Sequence, residues 1–163
     1  SFSIRYPKDQ CIQYDHNIDP VILEIGKWEI IHSGNSTAIL AVGSMVGMIM
    51  KNKEKIYREL GYLPTIINAR FIKPLDSKLL AELCVSHANI MTIEEGSLIG
   101  GFGSAVGDFL NDNDLTNKLY RLGIPDHFIQ HGSREELLQD IGLSYENIIR
   151  IIKQSTLEKV YEL

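Results

Sequence analysis

The chain has 163 residues, 44% hydrophobic and 23% charged, with 13 Gly, 5 Pro and 2 Cys, the size and make-up of one globular domain, which excludes disordered, collagenous and disulfide-scaffold classes. Its 16 basic and 21 acidic side chains leave a formal charge of −5, too acidic to hold a nucleic-acid backbone. No apolar run approaches the roughly 18–20 residues that cross a bilayer, and Cys11 and Cys84 lack paired or metal-like spacing, as expected of reduced thiols in a cytosol-like compartment.

The opening Ser1-Phe2-Ser3-Ile4-Arg5-Tyr6 has no initiator Met and no signal-peptide pattern, and its alternation reads as a strand already under way. The chain is therefore expected to be a piece of something longer. Pro7 stops that strand because it cannot donate to a ladder. From Lys8 to Pro20 the residues are polar and without period, the composition of a linker.

Val21–Ile25 and Trp28–His32 are β-branched, apolar segments joined by Gly26-Lys27, and Thr37–Val42 is a continuous apolar run of the kind found in strands covered on both faces. Gly43 ends it, Ser44 is a candidate N-cap, and one helix is predicted from there to Leu60, with Gly61 as its stop. The cycle then repeats. Residues 64–69 form a strand and Asp76 caps a helix to about His87. Residues 89–94 form the next strand, followed by a Gly-rich turn and a helix over about 101–111. A last strand covers 118–122, and helices follow from Ser133 to about Gly142 and from Ser144 to about Lys153, the latter with Ile148, Ile149 and Ile152 as its buried stripe. Strict alternation of strand and helix predicts βαβ crossovers, hence a three-layer αβα domain on a mainly parallel five-stranded sheet. One strand among residues 21–32 is expected to run antiparallel at an edge.

Four groups of residues are candidates for chemistry. The turn from Gly96 to Gly107 follows a strand and opens a helix, the setting in which backbone N–H groups hold phosphate, but its glycines miss the Gly-x-Gly-x-x-Gly spacing. A tight strand-to-helix turn is the competing reading. Glu94 and Glu95 stand at the carboxyl end of a strand, where open α/β sheets place ligands. Their side chains should point to opposite faces, with one of them buried in a structural role. His127 and His131 are four apart, but Pro125 and Gly132 make the stretch a loop, so the helical zinc face is missing. At the amino end, Arg5 and Lys8 bracket Tyr6-Pro7 and offer cations that could reach a substrate phosphate.

Several strings occur together and in order: Arg5-Tyr6-Pro7-Lys8; Gly26-Lys27; Asn68 to Asp76, reading Asn-Ala-Arg-Phe-Ile-Lys-Pro-Leu-Asp; Thr92 to Gly96; Gly100 to Val106; and Gly123 to Gly132, reading Gly-Ile-Pro-Asp-His-Phe-Ile-Gln-His-Gly. Over about residues 3–152 the chain resembles the C-terminal part of the 1-deoxy-D-xylulose-5-phosphate synthases, transketolase-like enzymes that depend on thiamine diphosphate.

The resemblance implies a transferase that joins pyruvate to glyceraldehyde 3-phosphate with loss of carbon dioxide, for isoprenoid, thiamine and pyridoxal synthesis. It implies a homodimer, in the bacterial cytoplasm or a plastid-type organelle, with the cytoplasm preferred. Thiamine diphosphate and Mg²⁺ would be held by two preceding domains, leaving this chain with no catalytic, cofactor or metal residue and inactive by itself. Lys8 stands where the family carries an Arg resembling a contact to the aldehyde's phosphate, and Asp9 replaces the Gly that follows it. Lys keeps the charge but loses the planar fork.

The expected organisation is residues 1–8 as the end of the preceding domain, 9–20 as a linker, 21–154 as a transketolase C-terminal-like domain and 155–163 as a tail. Two other readings stay open: the matching domain of a 2-oxo-acid dehydrogenase β subunit, and a stand-alone phosphate- or nucleotide-binding module using the Gly96–Gly107 turn.

Overall fold

The computed structural model describes residues 2–4, 6 and 21–161, with side chains described as far as residue 155. Arg5, Lys8, Cys11 and the expected linker 9–20 lie outside the described residues. Strand β1 (Glu29–His32) is followed by β2 (Thr37–Ala41), helices α1 (Ser44–Lys51) and α2 (Lys53–Leu60), β3 (Thr65–Asn68), α3 (Ser77–Ser86) and β4 (Asn89–Ser97). Then come α4 (Phe102–Asp112), β5 (Lys118–Ile124), α5 (Arg134–Asp140) and α6 (Tyr145–Tyr161).

The five strands form one sheet in the order β1-β3-β2-β4-β5. β3, β2, β4 and β5 pair in parallel, and β1 runs antiparallel to β3 at the edge. The expectation of a mainly parallel sheet with one antiparallel edge strand within 21–32 is met, although residues 21–25 themselves are not strand.

Period-two alternation along the central strands sorts the core into two layers. Ile39, Ala41, Met91 and Ile93 face α1, α2 and α6, where Met45, Ile49, Ile56, Ile148, Ile149 and Ile152 are buried. Ala38, Leu40, Ile67 and Ile90 face the other way, onto Leu80, Leu83, Phe102, Val106 and Leu110 of α3 and α4 and onto Trp28. Trp28 and Phe102 meet edge to face with ring centres 5.7 Å apart.

Three helix boundaries differ from the sequence reading. The single helix expected over 44–60 is broken at Asn52 (φ −107°, ψ 10°), whose side-chain amide donates to Met48 O at 2.9 Å. Asn competes with the helical ladder by bonding to backbone in this way. Its predicted N-cap, Ser44, is already inside α1, and the cap position belongs to Gly43 at φ 57°. Helix α6 runs on to Tyr161, past the point where the apolar stripe ends. Buried Ser155 continues it, donating to Ile152 O at 2.8 Å and accepting from Asn89 Nδ2 at 3.4 Å. The stops and caps at Gly61 (φ 77°), Asp76 and Ser133 are as predicted.

Asp76 has a second task. Almost wholly buried, it caps α3 through Leu79 N at 3.2 Å and also accepts the backbone N–H of Trp28 at 3.1 Å, with Lys27 Nζ at 3.5 Å. A cap is worth about 1 kcal/mol and a bond from a buried N–H to a charged acceptor about 1.5–3 kcal/mol. Asp76→Ala should therefore cost about 2–4 kcal/mol in urea unfolding, with Asp76→Asn, which keeps an acceptor, costing less. Equal stability of Asp76→Ala and the parent chain would refute this double role.

Candidate functional site

The strand order places a topological switch point at the carboxyl ends of β2 and β4. The chain leaves β2 toward β3 on one side and leaves β4 toward β5 on the other, and open α/β sheets bind ligands in the crevice between such connections. Ser44 stands on the first connection, and Glu94, Glu95 and the Gly-rich turn stand on the second.

The two carboxylates part to opposite faces, as the strand period requires. Glu94 is buried on the α4 face, where its carboxylate accepts from Phe102 N at 2.9 Å and Gly103 N at 2.8 Å. It thereby occupies the positive end of α4, the position a bound phosphate would take. Other groups of the turn are also committed: Ile99 N donates to Ser97 Oγ at 3.2 Å and Gly100 N to Ser104 Oγ at 3.0 Å, while Ser104 Oγ donates to Leu98 O at 2.9 Å. Gly100 is left-handed at φ 72°. These contacts identify a tight structural turn in which Glu94 takes the Phe102 and Gly103 N–H groups at the α4 N-terminus.

On the other face Glu95 accepts from Ser44 Oγ at 3.0 Å and pairs with Arg134, the first residue of α5. Arg121 reaches over the turn to Ser104 Oγ at 3.2 Å. Sequence reasoning singled out neither arginine, because each partner lies 17 or 39 residues away and no local pattern links them. The crevice is thus closed by internal ion pairing.

The 123–132 string forms the connection from β5 to α5. His127 and His131 are both exposed, and Phe128 is 88% exposed. At the end of this loop Ser133 and Glu136 form a capping box: Ser133 Oγ accepts from Glu136 N at 3.3 Å, and Glu136 Oε2 accepts from Ser133 N at 2.8 Å. Hydrogen bonds from the Ser133 hydroxyl and backbone hold the Glu136 carboxyl below its ordinary range.

The Asn68–Asp76 string closes around the segment that leads into β1. Arg70 Nε donates to Lys27 O at 3.1 Å and its Nη1 pairs with Glu29 at 3.2 Å, while Trp28 Nε1 donates to Phe71 O at 2.8 Å. Gly26 is left-handed at φ 75°, and a Cβ there would stand 2.9 Å from Pro74 Cγ. The two strings that travel together in sequence are therefore the two halves of one clamp.

At the opposite end of the sheet a groove of about 460 Å³ lies between residues 84–88 and 114–117. Its histidine and asparagine are paired within the protein: His87 Nε2 with Thr65 Oγ1 at 2.8 Å, and Asn117 Nδ2 with Cys84 O and His87 O at 2.8 and 2.6 Å. Burial pushes the Cys84 thiol up, away from reactivity.

A thiamine diphosphate–Mg²⁺ site needs oxygen ligands for the cation and free donors for the diphosphate. Among the described residues no group of three or more His, Cys, Asp or Glu could hold a metal, and the helix N-terminus best placed for a phosphate carries Glu94. The described residues do not fit the cofactor. Lys8, the candidate phosphate contact, lies outside them.

Residues 26–148 match the transketolase C-terminal domain family. The chain is 41% identical over 146 residues to a 1-deoxy-D-xylulose-5-phosphate synthase of Shouchella clausii and 45% identical over 154 residues to one of a Synechococcus species, covering 90% and 93% of this chain. It spans 23% of the length of each of these curated relatives. Among solved structures, one described as a split gene transketolase, an inactive beta4 tetramer, superimposes with a TM-score of 0.74 at 25% identity, over 82% of this chain and 43% of that one.

The capping box makes a pH prediction. Because the folded Glu136 carboxyl titrates below its unfolded value of about 4.3, its contribution is complete above that pH and is lost as pH falls through the lowered folded value. Glu136→Gln should remove this acid-side dependence from the urea midpoint between pH 6 and pH 3. An identical pH profile in the variant and the parent would contradict it.

Proposed function

The chain belongs to the transketolase C-terminal domain family, and we propose that it serves as the C-terminal domain of a 1-deoxy-D-xylulose-5-phosphate synthase. The observation that carries this reading is the identity of 41–45% to synthases of that name across nine-tenths of this chain. The reaction is the decarboxylating union of pyruvate with glyceraldehyde 3-phosphate, in a cytoplasmic homodimer serving isoprenoid, thiamine and pyridoxal synthesis. Thiamine diphosphate and Mg²⁺ are held by other domains of the synthase, where the cofactor supplies the stabilised carbanion.

Within that enzyme the domain is a scaffold. Its switch-point crevice is filled by Glu94, Glu95, Ser44 and Arg134, so its contribution is packing and position. The clamp of Arg70, Phe71 and Asp76 on residues 27–29 fixes where the polypeptide enters the sheet. The split gene transketolase structure, an inactive beta4 tetramer, accords with a domain that assembles without catalysing. The Lys8 ammonium carries the contact to the aldehyde's phosphate.

Two measurements test the reading. The 163-residue chain, given pyruvate, glyceraldehyde 3-phosphate, thiamine diphosphate and Mg²⁺, should release no carbon dioxide above background, and turnover would refute the scaffold role. In the full synthase, Lys8→Ala should raise KM for glyceraldehyde 3-phosphate about 10- to 100-fold, the loss of one charge-assisted contact. An unchanged KM would remove Lys8 from the site.

A further inference from the structure

We propose that the turn joining β4 to α4 is a carboxylate-binding cradle whose resident ligand is the protein's own Glu94, so that Glu94→Ala protein takes up free acetate in its place.

The inference concerns how the fold is held and does not depend on the enzyme to which the domain belongs. Four observations carry it. The Glu94 carboxylate is buried and accepts two backbone N–H groups from the first turn of α4, at 2.9 and 2.8 Å. These are donors that no i−4 carbonyl can satisfy, at the positive end of an 11-residue helix.

Glycines, moreover, wrap the carboxylate on two sides. A Cβ at Gly96 would stand 2.5 Å from Glu94 Oε2, and one at Gly101 would stand 2.8 and 2.9 Å from its two oxygens and would collide with Ser97 O. The space left by the missing side chains is therefore shaped to a planar carboxylate.

Thr92, two residues below Glu94 on the same face of β4, is also wholly buried, and its hydroxyl has no hydrogen-bond partner among the described residues. It adjoins the same helix turn, 2.7 Å from where a Gly103 Cβ would stand.

The size of the vacancy selects the ligand. Glu→Ala removes Cγ and the carboxylate, the heavy atoms of acetate. The vacancy thus has the heavy-atom count of acetate and faces its carboxylate with the same two donors. A tetrahedral phosphate has an oxygen on every side and meets the walls at Gly96 and Gly101, while a longer fatty acid carries methylenes for which the buried strand face leaves no room.

The test uses the 163-residue chain at constant ionic strength, with chloride as the reference salt. Glu94→Ala should melt below the parent, and about 0.2 M acetate should raise its midpoint by about 3 °C or more over chloride, as expected for a ligand that binds only the folded state with a dissociation constant of tens of millimolar. The parent should show only the general salt effect of each anion, phosphate included. Phosphate and butyrate should move the variant no further than they move the parent. If the variant is unfolded in chloride, acetate should restore its helical circular dichroism. Equal acetate shifts in variant and parent, a phosphate shift in excess of the parent's as large as that of acetate, or no recovery of an unfolded variant would each overturn the proposal.

Glu94→Gln gives a second, independent reading because it keeps the volume and fills the cradle. It should show no acetate-specific shift, and at least one of the Phe102 and Gly103 amides, now facing an NH₂ group, should exchange hydrogen about tenfold faster. Two amides with unchanged exchange would overturn the assignment of Glu94 as their ligand.

Discussion

The buried carboxylate of Glu94 ties the sheet to the helix that follows it, and much of the domain's architecture depends on that tie. A carboxylate taken out of water is costly unless its lone pairs are met. Here Phe102 N and Gly103 N meet them, and the same two bonds satisfy donors that α4 would otherwise bury empty. This reciprocal need fixes where α4 starts, and with it the placement of Phe102 against Trp28 and of Val106 and Leu110 in the core layer. Trp28 is held in turn by Asp76 and Phe71. One chain of contacts thus runs from the carboxyl end of β4 through α4 to the segment that enters the domain.

This arrangement explains why a doubly wound sheet can carry its crevice without using it. The connections after β2 and β4 diverge as they do in ligand-binding members of this architecture. In this chain the donors of the second connection are taken by Glu94, Ser97 and Ser104, and the opposite face is closed by Glu95 with Ser44 and Arg134. A site is defined by which groups remain free, and fold alone does not decide that. The domain keeps the geometry of a binding crevice and pairs its polar groups with one another.

The parts of this structure that were legible in the sequence are those governed by local periodicity. Thr37–Val42 reads as a continuous apolar run, the mark of a strand covered on both faces, and the strict alternation of strand and helix led to the parallel sheet. Opposite faces for Glu94 and Glu95 followed from the pleat. The break at Asn52 was not legible, because a single Asn in a helical pattern is compatible with either outcome until its side chain chooses Met48 O. The reach of α6 to Tyr161 was not legible either, since its continuation rests on Ser155 meeting Asn89, 66 residues away. Arg134 and Arg121 escaped for the same reason. The glycines at 96 and 101 were visible, but their purpose, to make room for a neighbouring carboxylate, depends on distances that spacing does not contain.

The central claim is that the crevice of this domain is closed by its own side chains. Calorimetric titration of the chain with thiamine diphosphate, a nucleoside triphosphate and glyceraldehyde 3-phosphate, with amide shifts followed for residues 96–107, tests it most directly. The account predicts no saturable binding below millimolar concentration and no shifts confined to that turn. A saturable complex in the micromolar range, with shifts centred on Gly100 to Gly103, would contradict it.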